Sequence, residues 1–168
     1  DEQLVAKEDV SVADLAGHTI YMTGKGTVPE YTLAFLLDRA GLTEGAVNIE
    51  FKSEPSEVLA LLSADPKAVG ILPQPFATVA VAQDPALATI MDLTEQWDRA
   101  LLPDEEGALV TGVTVARTDF IEQHPEQVER FLIDHQRSVQ TVTEEPAASG
   151  ELLVDLGILG KAEMAAKV

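Results

Sequence analysis

The chain has 168 residues, of which 46% are apolar and 24% charged, so it has the composition of a folded globular chain and is long enough to bury a core. Eleven Lys and Arg stand against 29 Asp and Glu, a formal net charge of −18. That balance excludes nucleic acid as a partner and disfavours an anionic membrane surface, because phosphate binding needs a basic face. With no cysteine there is no disulfide scaffold, no thiolate metal site and no thiol catalysis.

The chain opens on a polar run, DEQLVAKEDVS. No secretory leader is visible there, and no stretch approaches the ~20 apolar residues of a membrane span. Residues 11–17 predict a short helix capped by Ser11 and stopped by Gly17. A β run follows from His18 to Thr23 and is broken at Gly24-Lys25-Gly26. The next helix begins with Thr27 and Glu30 at capping-box spacing and with Pro29 in its first turn. Its buried face is set by Leu33, Leu36, Leu37 and Ala40, and Gly41 suits its end.

The unit then repeats in type. Val47–Lys52 reads as a strand, Ser53–Ala64 as a helix with Val58, Leu59, Leu61 and Leu62 facing inward, and Val69–Leu72 as a buried strand. After the rigid Pro73-Gln74-Pro75 turn, Phe76–Gln83 is helical, and Leu87–Leu93 is another strand. Strands alternating with helices predict an α/β fold with a mostly parallel sheet and crossover helices. Thr94–Leu102 predicts a helix carrying Trp97, the only tryptophan, and Pro103–Gly107 a solvated acidic loop. Leu109–Arg117, LVTGVTVAR, reads as a β run. The remainder is helical: a turn over TDFIEQ, a long helix opened by Pro125 with a stripe of Val128, Phe131, Leu132, His135, Val139 and Val142, a helix over Pro146–Asp155, and the start of another in KAEMAAKV. The abrupt ends are those expected of a piece of a longer chain.

Two loops are candidates for ligand contact. At Gly24–Glu30 a strand leads into a glycine-rich turn and a helix leads out. The N–H groups of Gly26, Thr27 and Val28 are expected to be free there, in the field of the helix dipole, with Lys25 adding charge and Thr27 a hydroxyl. The alternative is an ordinary capped helix after a tight turn. It is no Walker loop, lacking a glycine five residues before Gly24, and no dinucleotide fingerprint, because Pro29 holds the third glycine's place. The second loop holds Gln74, an amide donor and acceptor between two prolines, and Phe76, an apolar wall. Both loops follow strands, and ligands of open parallel sheets bind at the carboxyl ends of strands. A stiff surface turn is the alternative reading of this second loop. The three histidines, His18, His124 and His135, have no nucleophile or metal-ligand partner at telling spacing, and His135 is expected to be a hydrogen-bonded residue at the edge of a core. No enzyme activity, metal or cofactor is expected.

Three ordered blocks carry a resemblance: SVADLAGHTIYMTGKGTVPEYTLAFLLDRAGL, EVLALLSADPKAVGILPQPFATVA and LVTGVTVARTDFIEQHPEQVERFL. From Ser11 onward the chain resembles the SsuA/TauA-like substrate-binding proteins of ABC importers, of type II periplasmic-binding-protein fold, and within them a lipoprotein subgroup whose loop reads L-P-x-P-F. The resemblance implies two α/β lobes with the ligand between them. It implies that residues 1–108 form most of the second lobe, and that residues 109–168 supply the return crossover strand, Val110–Arg117, and helices that pack on the first lobe. The chain would then be a fragment lacking part of that first lobe. Carried over by resemblance, Lys25, Gly26, Thr27, Val28, Gln74 and Phe76 line the cleft, and Thr111 lies near the hinge. The implied ligand is a small polar or anionic molecule (a sulfonate, an oxyanion or a pyrimidine-like compound), the implied partner an ABC permease, and the implied location extracytoplasmic. A helical stripe left uncovered is expected to drive homodimerisation or a rearrangement of the tail. The effector-sensing domain of a LysR-type regulator shares the two-lobe fold and is the alternative. A basic helix-turn-helix upstream would mark it, and a lipobox cysteine would mark the importer protein. The related pyrimidine-synthase enzymes use a Cys-rich motif, which this chain lacks.

Overall fold

The structure is a computed structural model that describes residues 2–43 and 45–157. By its internal contacts the chain divides into two units, residues 1–111 and 112–168. The expected helix in KAEMAAKV lies outside the described residues.

The first unit is a five-stranded sheet covered on both faces. Its elements are β1 (Glu2–Ala6), a 3-10 turn (Val12–Leu15), β2 (Thr19–Met22), α1 (Val28–Arg39), β3 (Asn48–Phe51), α2 (Pro55–Ala64), β4 (Val69–Pro73), α3 (Phe76–Gln83), β5 (Ala88–Asp92) and α4 (Leu93–Ala100). The sheet order is β3-β2-β4-β1-β5. β2 pairs in parallel with β3 and with β4, whereas β1 pairs antiparallel with both β4 and β5. Four strands therefore point one way, and β1, inserted between β4 and β5, is reversed.

That reversed strand lies in the opening run, which the sequence presents only as polar. Leu4, Val5 and Ala6 are all buried, and they pair in register with Ile71, Gly70 and Val69. Strand residues alternate between faces. Leu4, Ala6, Ile20, Met22, Val69, Ile71 and Met91 join Leu33, Leu36 and Leu37 of α1 in one cluster, and Val5 and Leu72 join Val58 and Leu62 of α2 and Ala77 and Ala80 of α3 in the other. A sheet buried on both faces shows continuous apolar runs rather than alternation, which is why three apolar residues suffice for β1 and why they pass unnoticed among charges.

The helix ends obey local chemistry. Gly41 takes φ +74°, its N–H donates to Asp38 O at 2.9 Å, and the Leu42 N–H donates to Leu37 O at 2.9 Å. This is a left-handed glycine stop that satisfies two last-turn carbonyls. α4 is capped by Asp92, whose carboxylate accepts from the N–H groups of Thr94 (2.8 Å) and Glu95 (3.1 Å).

The second unit contains α5 (Thr118–Gln123), α6 (Pro125–Glu144) and α7 (Pro146–Asp155). The β run expected over 109–117 is not a strand: these residues pair with nothing among the described residues, and Val113 and Val115 are exposed. β propensity expresses fit to a neighbouring strand, and without one the segment stays irregular. The α6 stripe is present but uncovered, with Phe131, Leu132, Val139 and Val142 exposed. His135 is not at a core edge as expected; it is exposed, with its ring 5.8 Å from that of Phe131.

Candidate functional site

The shared strand direction brings the carboxyl ends of β2, β3 and β4 to one edge of the sheet. Met22 lies opposite Phe51 on one side and Ile71 on the other, and the Lys52 N–H donates to Met22 O at 2.8 Å. The loops at 23–27, 52–54 and 74–75 therefore leave from adjacent strands. Because β1 runs in reverse, its first residue reaches the same edge, with Glu2 opposite Pro73.

The turn after β2 is built by its glycines. Gly24 and Gly26 take φ +81° and +76°, the left-handed region that side chains disfavour. At Gly24 there is no room either, since a Cβ would lie 2.7 Å from Thr27 Oγ1. The Thr27 N–H (3.0 Å) and its hydroxyl (2.6 Å) both donate to Gly24 O. The Glu30 carboxylate reaches back to accept from the Gly26 N–H. The expectation of three free donors is thereby corrected. Those of Gly26 and Thr27 are already used, and only the Val28 N–H has no acceptor among the described residues. The helix start holds its own carboxylate where an anion is favoured.

Lys25 lies with Nζ 5.6 Å from the centre of the Phe51 ring, which places it over the neighbouring strand end. Lys52 stands on the same edge, with Nζ 2.8 Å from the Glu50 carboxylate and 5.2 Å from the Tyr21 ring centre. The hydrogen bond to Glu50 raises the Lys52 pKa, so its charge is held. In the second loop the Gln74–Pro75 peptide is cis, and Gln74 Oε1 accepts from the Thr78 hydroxyl (2.9 Å) and N–H (3.3 Å). This bond fixes the amide plane of Gln74 against the first turn of α3. Phe76 is half-buried and packs against the core cluster on the α2–α3 face of the sheet, so it is as much a core residue as a wall.

Six of the seven predicted residues thus sit on loops or helix starts that follow β2 and β4. The seventh, Thr111, is exposed in the irregular stretch and makes no hydrogen bond among the described residues. Sequence reasoning missed Glu2 and Lys52. Glu2 is half-buried, and loss of hydration raises its carboxyl pKa above the ordinary value. Its signal was hidden in an unrecognised strand. Lys52 had a readable one, being the first residue after a parallel strand. A separate hollow of about 560 Å³, lined by Ala34, Leu37, Leu42, Val47 and Ile49, lies toward the opposite, amino end of β3. Among the described residues no group of three metal-ligating side chains occurs, and no helix is long and apolar enough to cross a membrane.

Against known structures this architecture is matched over nearly its full length. The periplasmic aliphatic sulphonate binding protein SsuA from Escherichia coli superposes with a TM-score of 0.72 at 18% identity, covering 99% of this chain and 53% of that one. The chain has the SsuA-type periplasmic-binding-protein fold. An ABC transporter protein from Parabacteroides distasonis gives a TM-score of 0.70 at 20% identity, covering 98% of this chain and 55% of that one. The chain thus spans about half the length of these two proteins. No family model matches it, and no curated protein does.

Proposed function

We propose that the chain is the second lobe, residues 1–108, and the crossover and tail elements, residues 109–168, of an extracytoplasmic solute-binding component of an ABC importer. It binds and does not catalyse. The observation that carries this reading is the convergence of the glycine-rich turn and the Gln74 loop on one carboxyl edge, in a fold shared with a periplasmic sulphonate binding protein and an ABC transporter protein.

The ligand is a small polar or anionic molecule, of sulfonate, oxyanion or pyrimidine-like chemistry. One of its acceptor groups takes the Val28 N–H and, by displacing the Glu30 carboxylate, the Gly26 N–H. Lys25 balances its charge, Gln74 offers an amide and Phe76 an apolar contact, while Thr111 lies near the hinge. Contacts to both lobes favour the closed state, which an ABC permease reads. A lipid anchor on the longer protein would hold the lobe pair beside that permease. The uncovered α6 stripe packs on the first lobe, or on a second copy when that lobe is missing.

A thermal-shift screen of alkanesulfonates, oxyanions and pyrimidines tests the reading. One class should raise the melting temperature, by about 2.7 kcal/mol of added stability at 100 times its Kd. Thr27→Ala combined with Gln74→Ala should abolish that response; an unchanged response would remove the site assignment.

A further inference from the structure

The acidic loop after α4, read from sequence as merely solvated, holds one side chain in a specific arrangement. The Glu105 carboxylate receives Arg39 Nη2 at 2.6 and 2.7 Å from its two oxygens, and it also accepts the Leu102 N–H at 2.8 Å. The Glu105 N–H donates in return to Leu102 O at 2.9 Å. The guanidinium is itself held, 5.0 Å from the Phe35 ring centre, and Phe35 lies 4.3 Å from Trp97 of α4. Beyond Glu105 the anchoring stops: residues 106–116 form no hydrogen bond among the described residues.

We propose that the Arg39–Glu105 pair is a clamp that closes the loop after α4 and fixes where its hydrogen-bonded course ends within the first unit. Arg39 is the last residue of α1, so the clamp ties the loop after α4 to the helix whose other end carries the Gly24–Glu30 turn. With the clamp closed, the stretch without hydrogen bonds begins at residue 106. With it open, that stretch extends back toward Leu101, where α4 ends. An exposed ion pair alone contributes little. Here one carboxylate closes its own turn and accepts a guanidinium pinned by a ring, so ordering two groups secures several contacts at once.

Hydrogen exchange of this chain tests it. In Glu105→Gln the Leu102 and Glu105 amides should exchange roughly three- to tenfold faster, while amides of α1 and β4 keep their rates. Arg39→Lys should fall between, since it keeps the charge and loses the planar guanidinium held over the Phe35 ring. The charge-swapped pair Arg39→Glu with Glu105→Arg should recover part of the protection. Unchanged exchange at 102–105 in Glu105→Gln would overturn the clamp. So would an equal rise throughout the first unit, which would mark general destabilisation instead.

Discussion

Gly70 lies in the middle of β4, opposite Tyr21 of β2 and Val5 of β1, with α2 lying directly over it. A Cβ there would meet Leu62 Cδ1 at 2.8 Å, Val58 Cγ1 at 3.0 Å and Leu62 Cδ2 at 3.2 Å, whereas ordinary contacts begin at 3.4 Å. Leu62 and Val58 are both completely buried, so neither can swing into solvent. Gly70→Ala therefore overpacks the interface, at about 1–3 kcal/mol. The lost chain freedom of the unfolded state offsets about 0.4–1 kcal/mol. The net expectation is a destabilisation of about 1–2 kcal/mol by urea unfolding. Leu62→Ala alone should cost about 2–5 kcal/mol. In that background the new methyl has room, so Gly70→Ala should become neutral or stabilising. A double-mutant cycle should then show a coupling on the order of 1–3 kcal/mol. Additive effects, within about 0.5 kcal/mol, would refute the claim that Gly70 exists to admit α2.

Gly24→Ala should cost about 1–3 kcal/mol, because it strains the backbone and meets Thr27 Oγ1. Gly26→Ala, with a similar φ and nothing within 4 Å of its Cβ, should cost less in the same urea titration. Asp84 has its pKa lowered by the Ala86 N–H and then by Lys7, and Glu105 by the Leu102 N–H and then by Arg39. Their stabilisation is complete above the unfolded carboxylate values, about 3.9 and 4.3, and is lost as pH falls through the lower folded values. Asp84→Asn should accordingly flatten the acid limb of the stability profile followed by Trp97 fluorescence. Glu2 behaves oppositely. Its raised pKa penalises the folded state at neutral pH, so Glu2→Gln should stabilise there, and the advantage should vanish below the unfolded value of about 4.3. Phe131→Asp with Leu132→Asp should reduce any self-association seen by native mass spectrometry, because both side chains are exposed on one helix.

Elements whose signals are local were legible in the sequence. Thr27 and Gly41 bracket α1 within a residue, and Val58 and Leu62 identify the inner face of α2. Elements decided by distant partners were not. β1 is a strand because β4 and β5 flank it, not because Leu4-Val5-Ala6 has a pattern. Residues 109–117 have the pattern and lack the partner. The candidate site divides the same way. Gly24, Gly26 and Gln74 could be read from turn chemistry. The placement of Lys25 beside Phe51 depends on strand order. So does the arrival of Glu2 at the same edge. Glu30 was readable as a cap, but its consequence, a carboxylate already seated at the helix start, needed the geometry of the turn.

The most direct test is an amide NMR titration of the protein with an alkanesulfonate, an oxyanion and a pyrimidine in turn. One of them should shift the amides of Gly24–Glu30 and Gln74–Thr78 together, saturably, with Gly26 moving as the Glu30 carboxylate is displaced. Saturable shifts confined to another part of the first unit, or no saturable shift with any of the three classes, would contradict a ligand site at this edge of the sheet.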